Sequence, residues 1–202
     1  SLTLEDLPPE DPNRENLEEV VHQSQRCRGI VKGLLEFSRQ SHMSAEIVDL
    51  NKVLDDTLSL IAKQAAFFNV EIVKEYDPGL KPVLAGRSEL QQVFMNILMN
   101  AAQAMDEQGT IRIVTRNAAE DAVEVLVSDT GHGIPPEHVD RIFDPFFSTK
   151  PSGQGTGLGL SISYGIITSL KGTIHVESVV GKGTTFTIRM PAALGIAGNG
   201  QA

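Results

Sequence analysis

The chain reads as an α/β fold: a two-layer sandwich in which a mixed sheet is covered by helices on one face, preceded by a long helix of a helical hairpin. Three observations predict it. Strand-like and helix-like segments alternate irregularly, without the steady strand-helix-strand rhythm of a doubly wound sheet. Several strand pairs are separated only by tight turns, which makes antiparallel neighbours. Val123, Val125 and Val127 fall on every second position, so one face of that strand is buried and the other is not.

Taken in order, Leu2 to Leu7 looks like the end of a helix, and Leu7-Pro8-Pro9-Glu10-Asp11-Pro12 is a rigid turn. Asn13 can cap a second helix that meets no strong breaker until about Gln40. Leu17, Val20, Val21, Ser24, Cys27, Val31, Leu34, Leu35 and Ser38 form one stripe along it at steps of three and four, the pattern of a helix that packs along another helix. His22 lies off that stripe among Glu18, Glu19 and Arg26 and reads as a solvated residue. Residues 1–43 are therefore expected to be part of a helical hairpin with most of its first arm missing, which points to a homodimer in a longer parent protein. Residues 44–192 form the second unit, and 193–202 a small, glycine-rich tail that frays.

The second unit opens with an apolar-periodic helix from Asp49 to Phe68, capped by Asp49. Val70 to Lys74 is a strand ending at the Asp77-Pro78-Gly79 turn. Ser88 to Met105 is a helix whose buried face carries Leu90, Val93, Phe94, Ile97, Leu98, Ala101 and Met105, with Asn96, Asn100 and Gln103 on a neighbouring face. Strands follow at Thr110 to Asn117 and Ala122 to Ser128, then a short helix from Pro135 to Phe143, a loop from Phe146 to Gly155 and a helix from Gly159 to Leu170. Thr173 to Ser178 and Thr185 to Met190 make a closing hairpin around Gly181-Lys182-Gly183.

Composition narrows the function classes. At 202 residues and 41% hydrophobic, the chain has a real core. Seventeen basic against 26 acidic residues give a formal charge of -9, which disfavours nucleic acid as a partner. One cysteine, Cys27, cannot close a disulfide within the chain and suits a reducing, cytoplasmic setting. No apolar run approaches the roughly 18 residues of a membrane span, and no signal peptide opens the sequence; an anchor elsewhere in the parent stays open.

Four short segments carry chemistry. Asn96 and Asn100 stand one helical turn apart, so their amides project together; an amide oxygen suits a hard cation such as Mg²⁺ when phosphates supply most of the remaining ligands, although such a pair can equally bond local backbone. Asp129 ends a strand before Gly131 and Gly133, where its carboxylate can accept from an exocyclic amine and choose adenine over guanine; a ligand-free Asp-Thr-Gly turn gives the same local signal. Gly153, Gly155, Gly157 and Gly159 alternate into an apolar helix start, which fits an anion-binding loop better than a linker. Lys150 just before them is a cation for a terminal phosphate or a solvated loop lysine. Phe143, Phe146 and Phe147 sit in a stretch otherwise written as loop, so they pin a lid, dock a partner or, for Phe143, pack in the core.

From about Leu50 to Pro191 this set resembles the ATP-binding catalytic domain of sensor histidine kinases, in the superfamily shared with gyrase B, Hsp90 and MutL. Glu89 to Ala101 resembles the N box, Asp129 to Pro135 the first glycine box, Phe143 to Phe147 the F box, Gly155 to Leu160 the second glycine box and Gly181 to Thr184 the third. Pro145-Phe146-Phe147-Ser148-Thr149-Lys150 and Asn100-Ala101-Ala102-Gln103-Ala104-Met105 are similar to the nitrogen-regulation type. The resemblance implies ATP and Mg²⁺ as ligands, with Asn100 on the metal, Asp129 on the adenine amine and Thr184 on a water beside the base. Asn96, Gly131, Gly133, Ile134, Gly155, Thr156, Gly157, Leu158 and Gly159 would line the nucleotide, and Asn96 and Lys150 would act in the transfer. Gln103 and Ala104 depart from the basic and aromatic residues many relatives carry there.

Related ATPases carry a glutamate one turn before the metal asparagine; here Asn96, an amide that cannot accept a proton near neutral pH, leaves hydrolysis without its base. The expected activity is therefore transfer of the ATP γ-phosphate to a histidine, for relay to the receiver domain of a response regulator. None of the chain's histidines precedes an acidic residue in the family's pattern, so self-phosphorylation is not expected of these residues alone. The rivals are a chaperone- or topoisomerase-like ATPase and a catalytically silent module that only binds a partner.

Overall fold

The computed structural model describes residues 11, 13–14, 16–21, 23–24, 45–106, 108–119, 121–150 and 156–193. They fall into two compact units, one of Ser1–His42 with Asp144–Leu158, the other of Met43–Phe143 with Gly159–Ala202. In the first unit residues 16–21 are helical, with Arg14 paired to Glu18 at 3.1 Å and Gln23 bonded to Glu19 at 2.6 Å, each one turn apart. Leu17 and Val21 of the expected stripe are half-buried and Val20 is exposed. His22, Cys27 and the rest of that helix lie outside the described residues, as does the tail from 194.

The second unit is the α/β sandwich. Its elements are β1 (Glu46–Val48), α1 (Leu50–Ile61), β2 (Asn69–Glu75), β3 (Val83–Ala85), α2 (Arg87–Ala104), β4 (Gln108–Ala118), β5 (Ala122–Asp129), α3 (Pro136–Val139), α4 (Gly159–Ser169), β6 (Thr173–Val179) and β7 (Gly183–Pro191). Five strands form one sheet in the order β2-β4-β5-β7-β6. The β2–β4 pair is parallel and the other three are antiparallel, so the sheet is mixed.

Alternation sets which face is covered. Ile111 and Ile113 of β4, Val123, Val125 and Val127 of β5, and Phe186, Ile188 and Met190 of β7 are buried, and α1, α2 and α4 supply the facing layer with Leu54, Leu90, Phe94, Ile97, Leu98, Ile166 and Ile167. The opposite face carries Arg112, Arg116, Glu124, Glu177 and Arg189, with Arg112 held in a bidentate bond by Glu75 at 2.6 and 2.7 Å. These are exposed pairs and add little stability.

Three expectations needed correction. The first helix ends at Ile61, its last buried residue, and a turn with one 3-10 segment, Ala65–Phe67, replaces the stretch to Phe68. The helix expected over Pro135 to Phe143 forms only from Pro136 to Val139, and turns carry the chain on from Asp140. β1 and β3 were not anticipated; they pair antiparallel as a separate two-stranded sheet through Glu46↔Ala85, Ile47↔Leu84 and Val48↔Val83. Three residues are too few to show a period, and burial of Val48, Val83 and Ala85 decides the matter. The Asp49 cap is present: its Oδ1 accepts from Asn51 N at 2.9 Å and Lys52 N at 3.3 Å.

Candidate functional site

β5 delivers Asp129 to the end of its strand, 7% exposed. Its Oδ1 accepts from the backbone N–H of Gly131 at 2.9 Å and of Thr184 at 3.2 Å. Both bonds fall on one oxygen, which leaves Oδ2 to a ligand. Burial raises the pKa of this carboxyl above its ordinary value, while the two amides and the neighbouring His132 pull against that rise. The site thus holds an acceptor that water cannot readily serve.

Two further contacts lock the surrounding turns. Gly183 has φ of 109°, and a side chain there would run into the Asp129 carbonyl, so β7 can start this close to β5 only with glycine. Gly181 N donates to His132 O at 2.8 Å, tying the β6–β7 turn to the loop after β5. His132 turns its own Nδ1 to the Gly133 carbonyl at 2.7 Å, which requires the proton on Nδ1. Thr184, 5% exposed, lies against Ser178, whose Oγ is 2.9 Å from Thr184 Oγ1, 3.1 Å from Gly183 O and 2.7 Å from Ile134 N. Ser178 was missed in the sequence because a lone serine near the end of an edge strand, on the same side as Ile174 and Val176, carries no motif.

α2 connects this cluster to a second one. Its terminal Ala104 carbonyl accepts from His132 N at 2.9 Å, and Asn100 sits one turn earlier, half-buried. One turn earlier again, Asn96 Nδ2 donates to the Gly159 carbonyl at 2.9 Å and to the Ser163 hydroxyl at 3.2 Å. Ser163, fully buried, itself donates to Gly159 O at 3.0 Å. Asn96 therefore seams α2 to the first turn of α4, and Asn100 stands on the helix between that seam and the Ala104–His132 bond. Ser163 had no sequence signal beyond its place one turn into α4.

In the first unit Gly157, with φ of 67°, abuts the backbone of Phe146, and its carbonyl accepts from Phe146 N at 2.9 Å. Phe146 itself has φ of 67° and is 54% exposed, a strained turn with its ring left outside. Leu158 is buried and Thr156 exposed. Lys150 is half-buried, and desolvation lowers its pKa from the ordinary lysine value. Gly155 lies outside the described residues. Among the described residues no three His, Cys, Asp or Glu gather as a metal site. A Mg²⁺ ion here would draw on the Asn100 amide oxygen and on phosphates, a donor set that fits its hard-oxygen chemistry.

A mixed sheet under helices, with a buried strand-end carboxylate clasped between two glycine turns, is the architecture of a nucleotide-binding ATPase unit. Residues 85–194, more than half of the chain, match the family model for histidine kinase-, DNA gyrase B-, and HSP90-like ATPases, and the chain belongs to that family. Sensor kinase CckA of Brucella abortus (strain 2308) is 40% identical over 195 residues, 90% of this chain and 20% of that protein. Full-length ShkA in complex with AMPPNP aligns with a TM-score of 0.73 and 26% identity over 94% of this chain and 41% of that one. The histidine kinase ThkA in complex with the response regulator protein TrrA aligns with a TM-score of 0.72 and 27% identity over 95% and 55%. The chain spans 20% to 37% of the length of curated relatives it matches. Among the described residues no helix is long and apolar enough to cross a membrane.

Proposed function

We propose that this chain is the ATP-binding part of a sensor histidine kinase of the nitrogen-regulation type: it binds ATP with Mg²⁺ and directs the γ-phosphate to a histidine, for relay to the receiver domain of a response regulator. The observation that carries the reading is Asp129, buried and held by two amides on one oxygen, so that the other faces the ligand as a fixed acceptor. The complexes of two relatives, one with AMPPNP and one with a response regulator, support the same reading.

In this reading Asp129 and Thr184 read the base, Asn100 holds the metal, and Gly131, Gly133 and Ile134 shape the turn beneath the nucleotide. Gly155, Thr156, Gly157, Leu158 and Gly159 approach the phosphates, and Lys150 meets the terminal one. When bound, Mg²⁺ neutralises phosphate charge. The protein contributes position and electrostatics rather than a covalent intermediate. Asn96 lacks the basicity to activate water and spends its N–H groups on α4, which preserves the phosphate for a better acceptor. The acceptor histidine belongs to the first arm of the hairpin, through which the parent protein dimerises in its cytoplasmic part.

Titration of ATP with and without Mg²⁺ tests the site. The wild-type chain should bind more tightly in magnesium, and Asn100→Ala should lose that gain while keeping its circular dichroism and melting temperature; an unchanged magnesium effect in Asn100→Ala refutes the metal role. Adding γ-labelled ATP and the parent's hairpin should put acid-labile phosphate on protein. Steady release of free phosphate without any acceptor would instead identify an ATPase.

A further inference from the structure

Ser178 has no part in the family motifs, yet it is the most heavily shared hydroxyl of the base site. A serine hydroxyl has one proton and two acceptor lone pairs. Ile134 N–H, at 2.7 Å, can only donate to it, and the Gly183 carbonyl, at 3.1 Å, can only accept from it. The Ser178 proton therefore goes to Gly183; without it two oxygens would face each other at that distance. The remaining contact, 2.9 Å to Thr184 Oγ1, is then attractive only if Thr184 donates. All three contacts are satisfied by this arrangement of protons and by no other.

The consequence falls on Thr184. With its proton committed to Ser178, its hydroxyl offers only lone pairs to a ligand. Thr184 N also donates to Asp129 Oδ1 at 3.2 Å, and the antiparallel register Ser128↔Thr185 sets the two buried residues opposite each other at the strand ends. We propose that Ser178 is a specificity-determining positioning residue: by taking the Thr184 proton it presents Thr184 beside Asp129 as a second pure acceptor, so that the site reads a 6-amino purine and repels a 6-oxo purine. This rests on the adenine-nucleotide reading above.

The test is calorimetric titration of the full chain with ATP and with GTP at fixed Mg²⁺, for wild type, Ser178→Ala and Ser178→Thr. Wild type should prefer ATP. Ser178→Ala frees the Thr184 proton to donate to a 6-oxo group, so GTP affinity should rise and the ATP-to-GTP ratio fall by about tenfold, the value of one such hydrogen bond. Ser178→Thr, which keeps a hydroxyl, should restore the ratio. A merely structural serine would weaken both nucleotides in proportion, and that result, or an unchanged ratio, overturns the inference. If Ser178→Ala does not fold, Ser178→Cys reads the same ratio through its weakly bonding thiol. A wild type that binds ATP and GTP equally overturns this inference alone, whereas one that binds no ATP overturns the nucleotide reading with it.

Discussion

Asp129 is placed at a cost to the fold. Its pKa is raised chiefly by burial, so the folded state holds the proton more readily than the unfolded chain does. Whatever stability this group lends is present at low pH and is lost as pH rises through the folded-state pKa, because above it a charge must stay desolvated. Asp129→Asn should therefore melt no lower than wild type at pH 8, and the difference should shrink or reverse on acidification, as thermal melts across pH will show. The same change turns the ligand-facing oxygen into an N–H donor and should weaken ATP by tenfold to a hundredfold. Wild-type affinity should likewise fall as the solution is acidified toward that pKa, since a protonated carboxyl competes as a donor. Undiminished ATP affinity in Asp129→Asn would remove Asp129 from the base site.

At the scale of elements, α2 is the part that organises the site. It is tied at Asn96 to α4 and at Ala104 to the loop after β5, with Asn100 between them. This explains why replacing Asn96 by the glutamate of related ATPases should not create an ATPase. An ionised carboxylate only accepts, and at this position it would oppose the Gly159 carbonyl that now receives the Asn96 N–H. Asn96→Glu should release phosphate no faster than wild type and lose about 1–3 kcal/mol in urea unfolding, the cost of setting a partly buried carboxylate against a carbonyl that cannot donate to it. Faster hydrolysis with stability intact would show that position 96 faces the nucleotide rather than the seam.

α2, β4, β5 and the β6–β7 hairpin were legible in the sequence because each is long enough to complete its period: Leu90, Val93, Phe94, Ile97 and Leu98 recur at helical steps, and the valines of β5 alternate. Asp129 and Thr184 were legible through the glycines beside them. What sequence could not yield was the seam that Asn96 makes with α4, since it depends on a segment more than sixty positions away. Ser178 and Ser163 stayed hidden because each joins near neighbours to one distant residue, Ile134 for Ser178 and Asn96 for Ser163, and that link has no local pattern.

For the whole molecule the important asymmetry is that the family match begins at residue 85, whereas the second unit's elements begin with β1 at Glu46. β2 covers the edge of β4 from Asn69↔Gln108 to Glu75↔Val114, and α1 lies along α2 with Leu50, Val53, Leu54 and Leu58 buried. Asn51 adds a polar tie, accepting from Thr115 Oγ1 at 2.8 Å and donating to the Asp77 carbonyl at 2.9 Å. A chain cut to residues 85–194 should lose its cooperative melt and bind ATP poorly, while one starting at Ala45 should keep both. Equal melting curves for the two would mean that the N-terminal elements are ornamental.

The parallel β2–β4 ladder also sets an order of events during synthesis. β2 leaves the ribosome before β3, α2 and β4 exist, so Val70 and Ile72 must wait in water for a partner that is translated later. That interval is when the nascent polypeptide is most exposed to aggregation, and when a holding chaperone would matter most.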